Sequence, residues 1–177
     1  MQTVETPRLT LEPLVVAHAG RMYAVLSEPL LYRFLDYPPP ESLEYLQGVY
    51  ARLESRASPD GKQLWLNWIV IPHGQHPVGF TQATIEGKSA SVAYLLASAA
   101  WERGYATEAT RGMLEHLGSS YGVKTFRATV EVANLPSIRL LERLAFRLAT
   151  AEECSGYSLT PTERLYVKVA ANEHNEL

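Results

Sequence analysis

From Leu64 to Ile71 the chain reads Leu-Trp-Leu-Asn-Trp-Ile-Val-Ile, apolar at every position but Asn67. Alternate residues of an extended chain point to opposite faces, so this segment has two apolar faces and must be covered on both. We expect it to be central in its sheet. The remaining segments then have to provide the neighbouring strands and the layers that cover them.

They do so by a change of period. His73-Gly74-Gln75-His76-Pro77 turns the chain, Val78 to Glu86 reads as a second strand, Gly87-Lys88 turns it again, and Ala90 to Leu96 reads as a third, which makes an antiparallel meander. After it Ala106, Ala109, Met113 and Leu117 fall on one helical stripe, ending near Gly122, where glycine can take the left-handed conformation. Thr125 to Val132 alternates as a strand, Asn134 opens a helix carrying Ile138, Leu141 and Leu144, and Phe146–Thr150 with Arg164–Val169 reads as a closing strand pair. Upstream, Arg8 to Leu14 suits a first strand ending at a proline. Two helices follow it, the second capped by Ser42 and carrying Leu43, Leu46, Tyr50 and Leu53, with Pro38-Pro39-Pro40 between them. The expected class is α+β, one domain over residues 1–170 with a frayed tail at 171–177.

Composition narrows the function. With 16 Lys and Arg against 19 Asp and Glu, the net charge of −3 provides no global field for nucleic acid or an anionic membrane. The single cysteine, Cys154, cannot form an intrachain disulfide or a structural zinc site alone, which fits a cytosolic protein. No amino-terminal signal pattern and no apolar stretch of membrane-spanning length is present, so we expect no membrane association. His73 and His76 lie in a Gly- and Pro-containing turn with no third ligand, so they read as a hairpin and no metal is expected. The charge is uneven. Residues 101–150 carry seven basic and five acidic groups, so the acidic excess lies elsewhere.

The stretch with most chemistry is Trp101-Glu102-Arg103-Gly104-Tyr105-Ala106-Thr107-Glu108-Ala109, a loop running into the amphipathic helix. The first backbone N–H groups of a helix lack partners and point outward, with the positive end of the dipole behind them. Such a terminus suits phosphate, and Gly104 and Ala106 keep side chains out of the way. An ordinary loop-to-helix connection gives the same local pattern. No Gly-Lys-Ser/Thr follows and three spaced glycines are missing, so it is neither a nucleotide phosphate loop nor a dinucleotide fingerprint.

The surrounding segments resemble the GNAT superfamily of acyl-CoA N-acyltransferases, in particular its ribosomal-protein N-terminal acetyltransferase (RimJ/RimL-type) branch. Thr6-Pro7-Arg8-Leu9-Thr10-Leu11, Pro77-Val78-Gly79-Phe80, Val92-Ala93-Tyr94-Leu95-Leu96, Trp101 to Ala109, Asn134-Leu135-Pro136-Ser137 and Leu141 to Phe146 are similar, in order, to that branch's motifs. The resemblance implies a GNAT-type fold, a mixed central sheet with splayed parallel strands flanked by helices. It also implies acetyl-CoA as co-substrate and a primary amine as acceptor, either a protein N-terminus or a small molecule. The amine attacks the thioester directly in a ternary complex. The pantetheine arm would lie along Tyr94, Leu95, Leu96 and Ala97 and the pyrophosphate against Arg103, Gly104, Tyr105, Ala106 and Thr107. Asn134 would contact the pantetheine arm and Ser137 would protonate the departing thiolate or hold a water; Asn134 also reads as a plain helix cap. Tyr32, Arg33 and Tyr37 would face the acceptor, and the protein would be a monomer or homodimer.

Four positions depart from the family pattern: Ala93, Ser98, Glu102 and Ala145 stand where relatives often have glycine or proline. A fifth, Ser91, stands where many relatives place a carboxylate. That leaves the general base to Glu131 or Glu86, with Glu131 otherwise a solvated or Arg-paired strand residue, and Glu108 reads as a first-turn acid favoured by the helix dipole. The missing carboxylate also motivates a rival, a catalytically weak acyl-CoA-binding module.

Overall fold

The computed structural model describes residues 1–170. The expected tail at 171–177 lies outside the described residues. Strands β1 (Val4–Glu5), β2 (Leu9–Pro13), β3 (Leu64–Pro72), β4 (Gly79–Glu86), β5 (Ser89–Leu96), β6 (Thr125–Glu131), β7 (Arg147–Leu148) and β8 (Glu163–Val169) form one sheet in the order β1-β2-β3-β4-β5-β6-β8-β7. Helices α1 (Ala19–Leu26), α2 (Leu43–Glu54), α3 (Tyr105–Tyr121) and α4 (Leu135–Arg143) cover it.

As the apolar run requires, β3 is internal, and both its faces are buried. Leu66, Trp68 and Val70 join a core with Ala109, Met113 and Leu117 of α3 and Leu140, Leu141 and Leu144 of α4. Ile69, on the opposite face, packs with Met22 and Leu26 of α1 and Leu46 and Tyr50 of α2. The helices thus divide into two layers, α3–α4 and α1–α2, with the sheet between.

All neighbouring strands pair antiparallel except β5 and β6. That parallel pair is short: Ser89, Ala90 and Ser91 oppose Thr125, Phe126 and Arg127, and beyond Ser91 the strands separate although each continues. The parallel crossover between them runs through α3, as a parallel connection must. Gly79 holds β5 on its other side, because a Cβ there would come within 2.1 Å of the Leu95 carbonyl oxygen. The β4–β5 ladder therefore runs unbroken from Glu86–Ser89 to Gly79–Leu96, while the β5–β6 side opens.

Expected helix ends are met by specific bonds. Ser42 Oγ accepts from Tyr45 N–H at the start of α2, and Gly122 takes a φ of +66° at the end of α3. Two expectations need correction. The stretch expected to continue as strand from Phe146 to Thr150 pairs only at Arg147–Leu148, because Glu153 accepts from the Thr150 N–H and from the Arg147 guanidinium and draws the chain into a turn. The helix expected directly after β2 begins as a short 3-10 turn, Val16–His18, in which His18 Nδ1 accepts from Val15 N–H. The two-residue β1 carried no alternation long enough to be read.

Candidate active site

The opening between β5 and β6 continues into two joined cavities of about 600 and 420 Å³, which share Tyr94, Asn134 and Ser137. The larger extends to Gly104, Tyr105, Ala106 and Thr107 at the start of α3; the smaller reaches Thr129, Val130 and Glu131 on β6. One continuous cleft therefore leads from a helix N-terminus to the gap in the sheet.

At the α3 end, Gly104 is the cap residue with φ +77°, and among the described residues no side chain bonds the first turn's N–H groups. Those donors face the cleft side and are free for an anion. The loop is fixed from a distance. Glu108, in the first turn, accepts from Thr6 Oγ1 at 2.7 Å, from Arg8 N–H at 2.8 Å and from Arg8 Nε at 2.6 Å. The same guanidinium donates to the Arg103 carbonyl at 2.9 Å and stacks over the Tyr105 ring. Burial pushes the Glu108 carboxyl up, but the bonds from Thr6 and Arg8 outweigh it and hold the group below the usual carboxylate range. Thr6-Pro7-Arg8 is therefore a clamp on the loop, a role that sequence reasoning missed; Glu108, read as a dipole-favoured acid, is its other half. Arg103 offers its carbonyl to the clamp and does not line the cleft, whereas Glu102, in left-handed conformation at φ +60°, does. Trp101 donates its indole N–H to the Leu96 carbonyl at 2.8 Å, so it pins the end of β5.

Along β5 the backbone has a fixed polarity. Ala97 N–H donates to the Val78 carbonyl, which places Ala93, Leu95 and Ala97 in the phase that bonds to β4. Val92, Tyr94 and Leu96 are left facing β6, where pairing has ended, and the Leu96 carbonyl is taken by Trp101. The backbone groups available to the cleft are thus those of Tyr94 and the Leu96 N–H. Leu95 lines the cleft by its position alone, and Ala97 does not line it.

At the far end the Tyr94 hydroxyl lies 2.9 Å from Ser137 Oγ. Burial raises the Tyr94 pKa and the bond to Ser137 partly offsets this, so the phenol stays protonated. Asn134 Oδ1 accepts from Ser137 N–H at 3.3 Å, which satisfies the cap reading, while the residue also lines both cavities. Thr110, only 1% exposed, lines the smaller cavity, and its hydroxyl has no partner among the described residues. A buried hydroxyl without a partner costs about 1–3 kcal/mol unless a bound group satisfies it. It was invisible in the sequence, where Thr110 interrupts no pattern.

Glu131 lines the same cavity as Ser137 and stands opposite Glu163 in the β6–β8 ladder. Among the described residues Glu131 pairs with no arginine, and Arg127 lies over the Tyr157 ring, 5.9 Å from its centroid. Glu86 sits at the far end of β4, accepts from Gln63 Nε2 and lines no part of the cleft. Tyr32 and Tyr37 pack edge to face at 5.7 Å and line a separate cavity on the α1–α2 side, whereas Arg33, stacked over Phe34, lines the cleft.

Comparison with known proteins gives a consistent assignment. The profile of the Acetyltransferase (GNAT) domain matches residues 8–147. A curated relative from Bacillus licheniformis, "Uncharacterized N-acetyltransferase p20", is 26% identical over 149 residues, 83% of each chain. Among solved structures, the ribosomal L7/L12 alpha-N-protein acetyltransferase RimL in complex with coenzyme A superposes with a TM-score of 0.79 at 17% identity, over 95% of this chain and 98% of that one. A GNAT-family acetyltransferase from Bacillus anthracis gives 0.76 at 16% identity with the same coverage. The microcin C7 self-immunity acetyltransferase MccE, in complex with acetyl-CoA and AMP, gives 0.75 at 17% identity over 93% and 94%. With the family profile spanning most of the chain and the splayed-strand cleft in place, the protein belongs to the GNAT family of acetyl-CoA-dependent acetyltransferases.

Proposed function

We propose that the protein transfers acetyl from acetyl-CoA to a primary amine by direct attack within a ternary complex. The observation that carries this reading is the continuity of the cleft, from the unpartnered N–H groups of Gly104 to Thr107 to the Tyr94–Ser137 hydroxyl pair. The first turn of α3 would take the pyrophosphate. Tyr94 and Leu96 backbone groups, Asn134 and the orphaned Thr110 hydroxyl would take the pantetheine arm, whose two amides need both donors and acceptors. A backbone N–H of β5 facing the gap would stabilise the oxyanion that forms on attack. Ser137, supported by Tyr94, would return a proton to the leaving thiolate, and Glu131 would draw the proton from the incoming ammonium.

Ser91 leaves its usual carboxylate position without a base, which is the observation favouring a binding module with weak catalysis. Glu131 on the wall of the same cavity as Ser137 supports turnover instead. The experiment is thermal shift with CoA and acetyl-CoA followed by thiol release on a panel of amines. Stabilisation with turnover is expected. Stabilisation without turnover would favour the binding module, and no response to either compound would overturn both. We also infer a cytosolic setting, on the lone cysteine and on the absence among the described residues of a helix long and apolar enough to cross a membrane.

A further inference from the structure

A second cavity, of about 340 Å³, lies on the opposite sheet face, between α1–α2 and strands β3, β4 and β5. Leu95 lines both this cavity and the cleft, so the two approach each other across one residue of β5. Five aromatic rings line it, Tyr32, Tyr37, Tyr45, Tyr50 and Phe80, together with the three prolines 38–40 and aliphatic side chains such as Leu14, Leu26 and Leu46.

Of the polar residues in the lining, Gln82 is exposed, and two, Tyr50 and Asn67, are buried. Tyr50 is 3% exposed and its hydroxyl has no hydrogen-bond partner among the described residues, and burial raises its pKa, so it is a neutral phenol with an unspent donor. Asn67 is the single polar residue in the apolar run of β3 and is 5% exposed. It lies on the cavity face and lines the cavity. A buried phenol left unpaired is costly, and a ligand group that accepts from it removes the penalty, with the Asn67 amide in the same lining as a second polar partner. The charged residues of the lining, Glu41 and Arg52, are both exposed and opposite in sign, so nothing here compensates a buried ionic group.

We propose that this cavity selects the acceptor, and that it takes an uncharged aromatic ring bearing a hydrogen-bonding substituent, carried a short distance from the reacting amine. The ring packs among Tyr32, Tyr37 and Phe80, its polar substituent pairs with Tyr50 and Asn67, and the amine projects past Leu95 toward the thioester. This rests on the acetyltransferase reading and names its substrate class. The same chemistry can come from a free arylalkylamine or from an aromatic residue at a peptide N-terminus.

The test is steady-state acetylation at saturating acetyl-CoA of tyramine, phenethylamine, butylamine and putrescine, and of tetrapeptides beginning with Tyr, Phe, Ser or Glu. Burial of a ring should give the aromatic acceptors a kcat/KM at least tenfold above butylamine and putrescine, and the Tyr and Phe peptides the same advantage over Ser and Glu. Tyramine should exceed phenethylamine by about three- to tenfold, and Tyr50→Phe should abolish that ratio. Tyr37→Ala, at a half-exposed site where folding is not at stake, should raise KM for tyramine without changing the dissociation constant of CoA. Whether tyramine or the Tyr peptide turns over faster identifies the source of the ring. Preference for aliphatic or charged acceptors, or a tyramine ratio untouched by Tyr50→Phe, overturns the proposal. So does CoA binding with no acetylation of any aromatic acceptor, an outcome that leaves the CoA assignment standing, whereas failure to bind CoA removes that assignment itself.

Discussion

The hydroxyls of Tyr94 and Ser137 lie 2.9 Å apart and join β5 to α4 across the cleft. A serine alone is a poor proton source, but one hydrogen-bonded to a phenol can pass a proton on and be reprotonated. Ser137→Ala should lower kcat by about 10- to 100-fold with CoA affinity nearly unchanged. Tyr94→Phe should produce a smaller loss of the same kind. Because the two act as one unit, the double variant should be no worse than Ser137→Ala, which a double-mutant cycle on kcat reads directly. Additive losses would mean that the hydroxyls act separately.

The second prediction concerns the clamp of Thr6 and Arg8 on Glu108. The folded-state pKa of Glu108 is lowered, so its contribution to stability is complete above the unfolded glutamate value, about 4.3, and is lost as pH falls below that through the folded value. Glu108→Gln should cost about 1–2 kcal/mol near neutrality, since a partly exposed charge-assisted cluster gives up only part of its bonding. The difference in Tm between wild type and variant should shrink on acidification below about pH 4. A gap that stays constant with pH would remove the charge from the explanation.

Backbone conformation separates structural from binding roles in a third prediction. Gly104 and Ala145 both hold left-handed φ, +77° and +62°. Ala145 ends α4, where Phe146 N–H reaches back to the Leu141 carbonyl, so Ala145→Gly should stabilise by about 1 kcal/mol and leave CoA binding alone. Gly104→Val places a branched side chain in a strained conformation, 3.3 Å from the Arg8 guanidinium and beside the free N–H groups. It should weaken CoA by at least tenfold in calorimetry. Equal CoA affinity in the two variants would exclude the α3 terminus as the pyrophosphate site.

These residues also show where sequence reading succeeds and where it stops. The apolar run of β3, the helical stripe of α3 and the caps at Ser42, Gly122 and Asn134 are local signals. Each depends on neighbours within a few positions, and each was legible. The strand β7 was overestimated because Glu153 bends the chain through bonds no periodicity encodes. The site mixes both kinds. Gly104 to Thr107 could be picked out as a loop before a helix, but the bond from Arg8 to Glu108 joins residues 100 positions apart. Likewise, the family resemblance points to the Tyr94 backbone, and only the packing of α4 on β5 reveals a hydroxyl partner. The family resemblance puts Leu95 and Ala97 beside Tyr94 along the pantetheine arm, yet strand alternation turns their backbone groups toward β4.

The last prediction tests the base. Glu131 lines the cavity that holds Ser137, while its ladder neighbour Glu163 already accepts from the Thr160 N–H at 2.8 Å. If Glu131 removes the proton of an incoming ammonium, its absence should matter only for acceptors that arrive protonated. Glu131→Gln should then reduce kcat/KM for an ordinary alkylamine by about 100-fold at neutral pH. The loss should shrink as pH rises, and it should nearly vanish for trifluoroethylamine, whose weak basicity leaves it neutral in the assay. Measuring both amines across pH with wild type and variant separates this role from a structural one, which would depress every acceptor alike. A uniform loss would give Glu131 a structural role and remove it as the base.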